Sequence, residues 1–213
     1  MSAQTERNNP SLDLGTRVTA AAHSVLAGKF PKVSSQEVLG MLLEIEKDAQ
    51  IRVSPQFAKF VGTWRLCFVT GTKKPHYCQG QLVGRGFYIP RWVKMQIVYS
   101  PSNPTAYNPQ AVDNLGQIAN QVNWGGLSLS LTGPARCWPK KNIMVFDFTR
   151  LQVKAFGKTL YNGFIRGGQA SEQNFWSEHV RTQAFFAYFL VHDQALAARG
   201  RGGGIALWVK TES

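Results

Sequence analysis

Three cysteines, four histidines and twelve acidic residues are the groups in this 213-residue chain that could carry acid–base, nucleophilic or metal chemistry. Cys67, Cys78 and Cys137 have no C-x-x-C spacing, and an odd count without a secretory signal predicts reduced thiols. His23, His76, His179 and His192 stand apart, so a zinc site is not expected; the His76-x-Cys78 pair reads as a plain loop. His192-Asp193 and Glu178-His179 are sequence neighbours, which on a strand point to opposite faces and make poor dyads. Arg199-Gly200-Arg201-Gly202-Gly203-Gly204 has the glycines of a phosphate loop, but such a loop needs a helix N-terminus after it. Here Ile205 to Val209 follows with the composition of a strand, so the cluster reads as a hairpin turn. With no nucleophile elbow and no paired carboxylates, the expectation is a non-enzymatic protein with no metal and no cofactor.

Charge points outward instead. Lys and Arg number 24 against 12 Asp and Glu, a net charge of +12 and a pI near 9.9. Such an excess attracts polyanions, either nucleic acid or an anionic membrane surface. The basic residues are scattered rather than gathered in a polybasic arm. Met1 to Pro10 contains Glu6 and no apolar core, so it is neither a signal peptide nor an Arg-rich transit peptide. The longest apolar run, Ala184 to Val191, is far short of the ~20 residues a spanning helix needs. These features predict an intracellular protein, cytoplasmic or peripheral on a membrane, not secreted and without a transmembrane segment.

The elements that would position any site begin with two helices. Val18, Ala22, Val25 and Leu26 recur at helical spacing from about Leu14, with Gly28 as a stop. Ser34 to Glu37 offers an N-cap, and Val38, Met41, Leu42 and Ile45 make one apolar face through to about Lys47. The next stretch, Gly62 to Thr70, alternates: Trp64, Leu66 and Phe68 on one face, Arg65 and Cys67 on the other. Strand-like segments then follow one another. They are Val93 to Tyr99, the ambiguous Leu115 to Val122, Leu127 to Leu131 ended by Gly133-Pro134, and Ile143 to Phe148 paired with Leu151 to Phe156. After them come Leu160 to Ile165, Ala184 to Val191 and Ile205 to Val209. Gly71 to Pro75 reads as a turn, Ser100 to Pro109 as an exposed loop, and residues 169–182 as a loop or helical turn.

The fold expected is mainly β: an antiparallel, up-and-down barrel of about 8–10 strands with two N-terminal amphipathic helices. Its parts would be a disordered N-terminus at 1–11, a helical segment at 12–50 and a barrel at 55–213. A barrel of that size can enclose one apolar ligand. Trp64, Leu66, Phe68, Met95, Ile97, Leu129 and Phe146 are its expected lining, or equally a filled core. The competing reading is a nucleic-acid-binding protein in which Trp92, between Arg91 and Lys94, stacks on bases.

Gly62-x-Trp64 on a first strand resembles the lipocalins, in which an arginine of the last strand packs across the tryptophan; that resemblance makes Arg199 the cation–π partner. The chain is more similar to the plastid lipid-associated (fibrillin) proteins of plants and cyanobacteria. Their strand motif G-x-W-x-L-x-x-x-T matches Gly62, Trp64, Leu66 and Thr70. Their C-terminal signature matches at Asp193, Leu196, Arg199, Gly200 and Val209, and departs at Ala197, where the family has arginine, and at Arg201, where it has an acid. The resemblance spans residues 35–210 and implies a divergent, cyanobacterial member with a lipocalin-like barrel. Such a protein would hold a prenylquinone, carotenoid or fatty acid at thylakoid membranes or lipid bodies, with Arg199 as a latch. The enzymatic alternative is a lipocalin-like bilin lyase of the cyanobacterial sort, in which a free cysteine or the Arg199 region would handle the chromophore.

Overall fold

Two helices precede the strands. α1 (Pro10–Leu26) starts earlier than the periodicity predicted. α2 (Ser35–Lys47) opens on a complete capping box, in which the Glu37 amide donates to Ser34 Oγ and the Ser34 amide to Glu37 Oε2. The structure is a computed structural model, described for residues 10–27, 33–48, 56–71, 76–78, 80–101 and 114–211. Of the expected disordered residues 1–11, the turn at 71–75 and the loop at 100–109, residues 1–9, 72–75 and 102–109 lie outside them, as does the stop at Gly28. Pro10 and Ser11 instead belong to α1, and Ser100 and Pro101 to a strand (Lys94–Pro101).

Among the described residues thirteen strands follow: β1 (Gly62–Thr70), β2 (His76–Cys78), β3 (Gln81–Val83), β4 (Gly86–Tyr88), β5 (Lys94–Pro101), β6 (Leu115–Trp124), β7 (Leu127–Trp138), β8 (Ile143–Phe146), β9 (Arg150–Ala155), β10 (Lys158–Phe164), β11 (Ala184–His192), β12 (Ala195–Gly200) and β13 (Ile205–Lys210). A short helix, α3 (Gly168–Asn174), precedes β11. Eight strands close a ring in the order β7-β6-β5-β1-β13-β12-β11-β8, with β8 pairing back onto β7. The mainly β, antiparallel barrel with two N-terminal helices is the architecture the sequence predicts.

Three strand expectations need correction. Gly133-Pro134 does not end β7, which runs through both residues to Trp138. Leu127 to Thr132 pairs with β9, Ala135 to Trp138 pairs with β8, and Gly133-Pro134 is where β7 changes partner. β8 and β9 are therefore not a hairpin; each takes half of the same β7 edge. The connection from Ala184–His192 to Ile205–Lys210 contains a further strand, β12, whose small residues Ala195, Ala197 and Ala198 are wholly buried. The glycine cluster is the β12–β13 turn, with the Gly200 amide bonded to Gly204 O and the Gly203 amide to Gly200 O.

The register of β1 explains a further difference. Leu66 sits opposite Trp208 but Phe68 sits opposite Leu207, so a bulge at Cys67 inserts one residue and resets the alternation. Trp64 and Leu66 face inward, while Cys67 and Phe68 both face outward. Two cores result. The inner one joins Phe57, Phe60, Trp64, Ile97, Tyr99, Ile118, Met144, Phe146, Tyr188 and Trp208. The outer one packs Val18, Ala22, Val38, Leu42 and Ile45 of the helices onto Phe68, Leu190, Ala197, Leu207 and Val209.

β9 and β10 continue the sheet past the barrel from the free half of the β7 edge, and this extension is called the wing. Polar contacts brace its base: Arg150 pairs with Glu172 of α3 at 2.9 Å, and Ser171 Oγ donates to Asp147. A Cβ at Gly133 would stand 2.1 Å from the Asp147 carbonyl oxygen, where the chain from β8 crosses to β9. Gly133→Ala is expected to cost about 2–3 kcal/mol, as overpacking against backbone does. Urea unfolding of the two proteins measures it.

Candidate functional site

The barrel interior is aromatic at one end. Phe60 lies 4.6 Å from Tyr188 and 5.7 Å from Tyr99, and Phe186 lies 5.4 Å from Trp208 and 4.8 Å from Phe146 between ring centroids. The Tyr99 and Tyr188 hydroxyls share a hydrogen bond of 2.7 Å. Burial pushes both phenols above the ordinary tyrosine range, so both are neutral and the interior carries no charge from them. Trp64 is fully buried and donates its indole N–H to Phe60 O at 2.6 Å.

Of the residues expected to line a site, Trp64, Leu66, Ile97 and Phe146 lie in this interior. Phe68 does not; the β1 bulge places it under the helices, edge-on to Tyr88. Met95 and Leu129 are neighbours of a different kind. Following the registered pairs, Met95, Val122, Leu129, Val153 and Tyr161 make one row across β5, β6, β7, β9 and β10. A second row runs Ile97, Asn120, Leu131 and Leu151, and a third runs Trp124, Leu127, Ala155 and Lys158. The inward face of the barrel thus continues past its rim onto the wing as an apolar face. It is only half covered: Leu129 is 37% exposed, Leu127 47%, Tyr161 45% and Trp124 56%. The reverse face carries Gln121, Asn123, Ser128, Ser130, Gln152, Lys154 and Asn162.

Arg199 is not the latch over Trp64. Its guanidinium forks onto both carboxylate oxygens of Glu46 at 2.7 and 2.5 Å and reaches Gln81 and Gly203 O. It pins the end of α2 to the β12–β13 turn. The cation over the Trp64 ring is Lys210, 5.3 Å from its centroid and directly opposite on β13. The chain order explains the difference: Arg199 follows Ala197 on the outward face of β12, so it points to the helices and away from the interior.

The thiols divide in the same way. Burial pushes Cys67 and Cys137 up to about 12, so both are protonated at neutral pH and weak nucleophiles; Cys78 is partly exposed. The residues the sequence reads as strand but not as part of a site are those of the wing, Val153, Phe156, Leu160 and Tyr161. Their signal was Phe156-Gly157, a two-residue hairpin turn with phenylalanine where asparagine or aspartate is the rule.

No helix among the described residues is long and apolar enough to cross a membrane. No family model matches the chain, and no curated protein matches it. Among solved structures, a redesigned beta barrel is similar over 73% of this chain and 95% of its own, at 12% identity and a TM-score of 0.34. That likeness is too loose to bear on function.

Two outcomes check these assignments. Arg199→Ala and Glu46→Ala are each expected to lower stability by about 1–3 kcal/mol, with a double-mutant coupling of about 1–2 kcal/mol. Neither should change the Trp64 fluorescence that Lys210→Ala alters. Ellman's reagent on the native protein should label Cys78 rapidly, and Cys67 and Cys137 only on unfolding.

Proposed function

We propose that this protein binds or carries a small apolar molecule, a prenylquinone, carotenoid or fatty acid, at photosynthetic membranes or lipid bodies, and does no chemistry on it. The observation that carries this reading is the apolar face that leaves the barrel rim through Met95, Val122, Leu129, Leu131, Leu151 and Val153 only half covered. A soluble domain gains nothing in folding from a half-exposed row of this length, whereas an apolar guest would bury it. Leu66, Ile97, Trp64 and Phe146 floor the row, and the aromatic end behind them holds the barrel in shape. The class of guest and the photosynthetic setting are supported by the resemblance of Gly62-x-Trp64-x-Leu66 and the C-terminal signature to the fibrillins.

A second reading has its own observation. Trp92 and Trp124 stand 6.3 Å apart and are 64% and 56% exposed, beside Arg91 and Lys94, a combination that can stack and neutralise single-stranded nucleic acid. It requires a salt-steep RNA affinity that Trp92→Ala weakens.

Native mass spectrometry of protein purified from a photosynthetic host, followed by organic extraction, separates the two. The expected result is a stoichiometric quinone, carotenoid or fatty acid. Leu129→Arg, at an exposed position that folding tolerates, is expected to lower its occupancy at least about tenfold. Protein that arrives without lipid, and binds none of the three classes on titration, would overturn the proposal.

A further inference from the structure

Three turns meet at one end of the wing. Pro90 to Val93 leads into β5, Trp124 to Leu127 joins β6 to β7, and Ala155 to Lys158 joins β9 to β10. They are tied side by side: Lys94 pairs with Asn123, Leu127 with Ala155, and the Phe156 amide donates to Gly126 O at 2.7 Å. The first turn is held by Arg65, whose guanidinium donates to Arg91 O and Val93 O at 3.0 and 3.1 Å. The tip so built displays Trp92, Trp124, Leu127 and Phe156, with Leu160 beside them as the extra residue of a bulge in β10.

Phe156 breaks two rules at once. It is 86% exposed, and its φ of 48° is a left-handed conformation that phenylalanine adopts rarely and asparagine readily. Its ring lies over Gly126, where a Cβ would come within 2.4 Å of it, so both partners of this contact are specified. A strained and exposed aromatic does nothing for folding, and such outliers gather where a surface has work to do.

Charge selects the partner. From Gln50 to Ser171 the chain has 15 Lys and Arg but only Asp113 and Asp147 as acids. Lys94, Lys154 and Lys158 adjoin the tip. Beside the first turn is a cleft of about 180 Å³ lined by Arg65, Arg91 and Lys94, together with Leu26 of α1, Leu66, Cys67 and Ile89. The Nε of Arg65 is buried with no hydrogen-bond partner. A second copy of this chain would set these cations against their own kind. The edge is also guarded, since β10 carries Lys158 and a bulge, features that discourage strand-to-strand pairing. Nucleic acid would use the two tryptophans but leave Leu127, Leu129, Leu160 and Phe156 wet. A membrane uses both sets, with aliphatic and aromatic tips in the acyl boundary and cations at the headgroups.

We infer that the three-turn tip of the wing docks the protein on an anionic lipid bilayer, inserting Phe156, Leu160, Trp124 and Trp92 while the Arg65–Arg91–Lys94 cleft takes a headgroup phosphate. The inference rests on the membrane setting of the proposed function and not on its cargo. It also gives the apolar face a route, since Leu127, Leu129 and Leu131 along β7 would run from the acyl boundary toward the barrel.

The test is sedimentation of the full chain with vesicles of phosphatidylcholine and with an equimolar mixture of phosphatidylcholine and phosphatidylglycerol. Binding to the mixture, with a blue shift in tryptophan emission and weakening by salt, is expected. Phe156→Asn, which suits the left-handed turn, should keep or raise the melting temperature while lowering vesicle affinity at least about tenfold. Arg91→Glu with Lys94→Glu should abolish the preference for the anionic vesicles. Lipid-free protein that still sediments supports docking alone; lipid-loaded protein that ignores both vesicles overturns docking and leaves cargo binding intact. Unchanged vesicle affinity in Phe156→Asn overturns the inference. So does a dimer that this variant splits, or an RNA affinity it removes in a protein that ignores vesicles.

Discussion

Backbone hydrogen bonding along one edge of β7 is the constraint from which the rest follows. β7 has twelve residues, and β8, which closes the barrel against it, has four. Closing the ring satisfies only Ala135 to Trp138 and would leave the amides and carbonyls from Leu127 to Thr132 as an open edge. β9 fills that edge, and β10 then covers β9. The chain therefore cannot close its barrel without also building a wing. Because side chains stay in register across the shared strand, the wing inherits the apolar, inward-facing set of β5, β6 and β7. Among the described residues, the apolar side of this wing is left half covered.

A second local device decides what the opposite side of the barrel does. Without the bulge at Cys67, Phe68 would enter an interior already filled by Trp64, Trp208 and Phe186, and the helices would lose the aromatic they pack on. One inserted residue lets β1 serve the inner core in its first half and the helix layer in its second. The Arg199–Glu46 fork sits at the margin of that helix layer, which explains why the arginine that the lipocalin resemblance assigned to Trp64 is engaged elsewhere and Lys210 stands in its place.

What was legible in the sequence was local. The capping box at Ser34–Glu37, the helical faces and the hairpin at Gly200–Gly204 are determined by residues within a few positions of each other, and they were read correctly. So was the alternation of Leu127, Leu129 and Leu131. That pattern, however, says only that two faces differ; it does not say that the apolar face is covered. Phe68, Pro134 and β12 failed for a shared reason. A bulge, a change of partner and a strand of small residues all depend on what lies across the sheet, and period-two reading sees a single strand. Among the candidate site residues, Trp64, Leu66, Ile97 and Phe146 were placed inside by alternation alone. Met95 and Leu129 obeyed the same alternation but lie beyond the closure that the sequence could not show.

The distribution of charge gives these parts an orientation. The helix layer covers β11, β12, β13 and β1, on the far side of the ring from β6 and β7, which carry the wing. Residues 10–48 hold five acids, Asp13, Glu37, Glu44, Glu46 and Asp48, against four basic residues, Arg17, Lys29, Lys32 and Lys47. The wing strands β9 and β10 carry Arg150, Lys154 and Lys158 and no acid. Near an anionic surface the cations of the wing and of the Arg91–Lys94 turn draw this part of the molecule toward it before any side chain touches. Such steering fades over about 8–10 Å at physiological salt, which is of the order of one sheet-to-sheet spacing. Electrostatics can therefore present the tip but cannot hold it there; retention falls to the apolar side chains the tip exposes, Phe156 in its left-handed turn foremost.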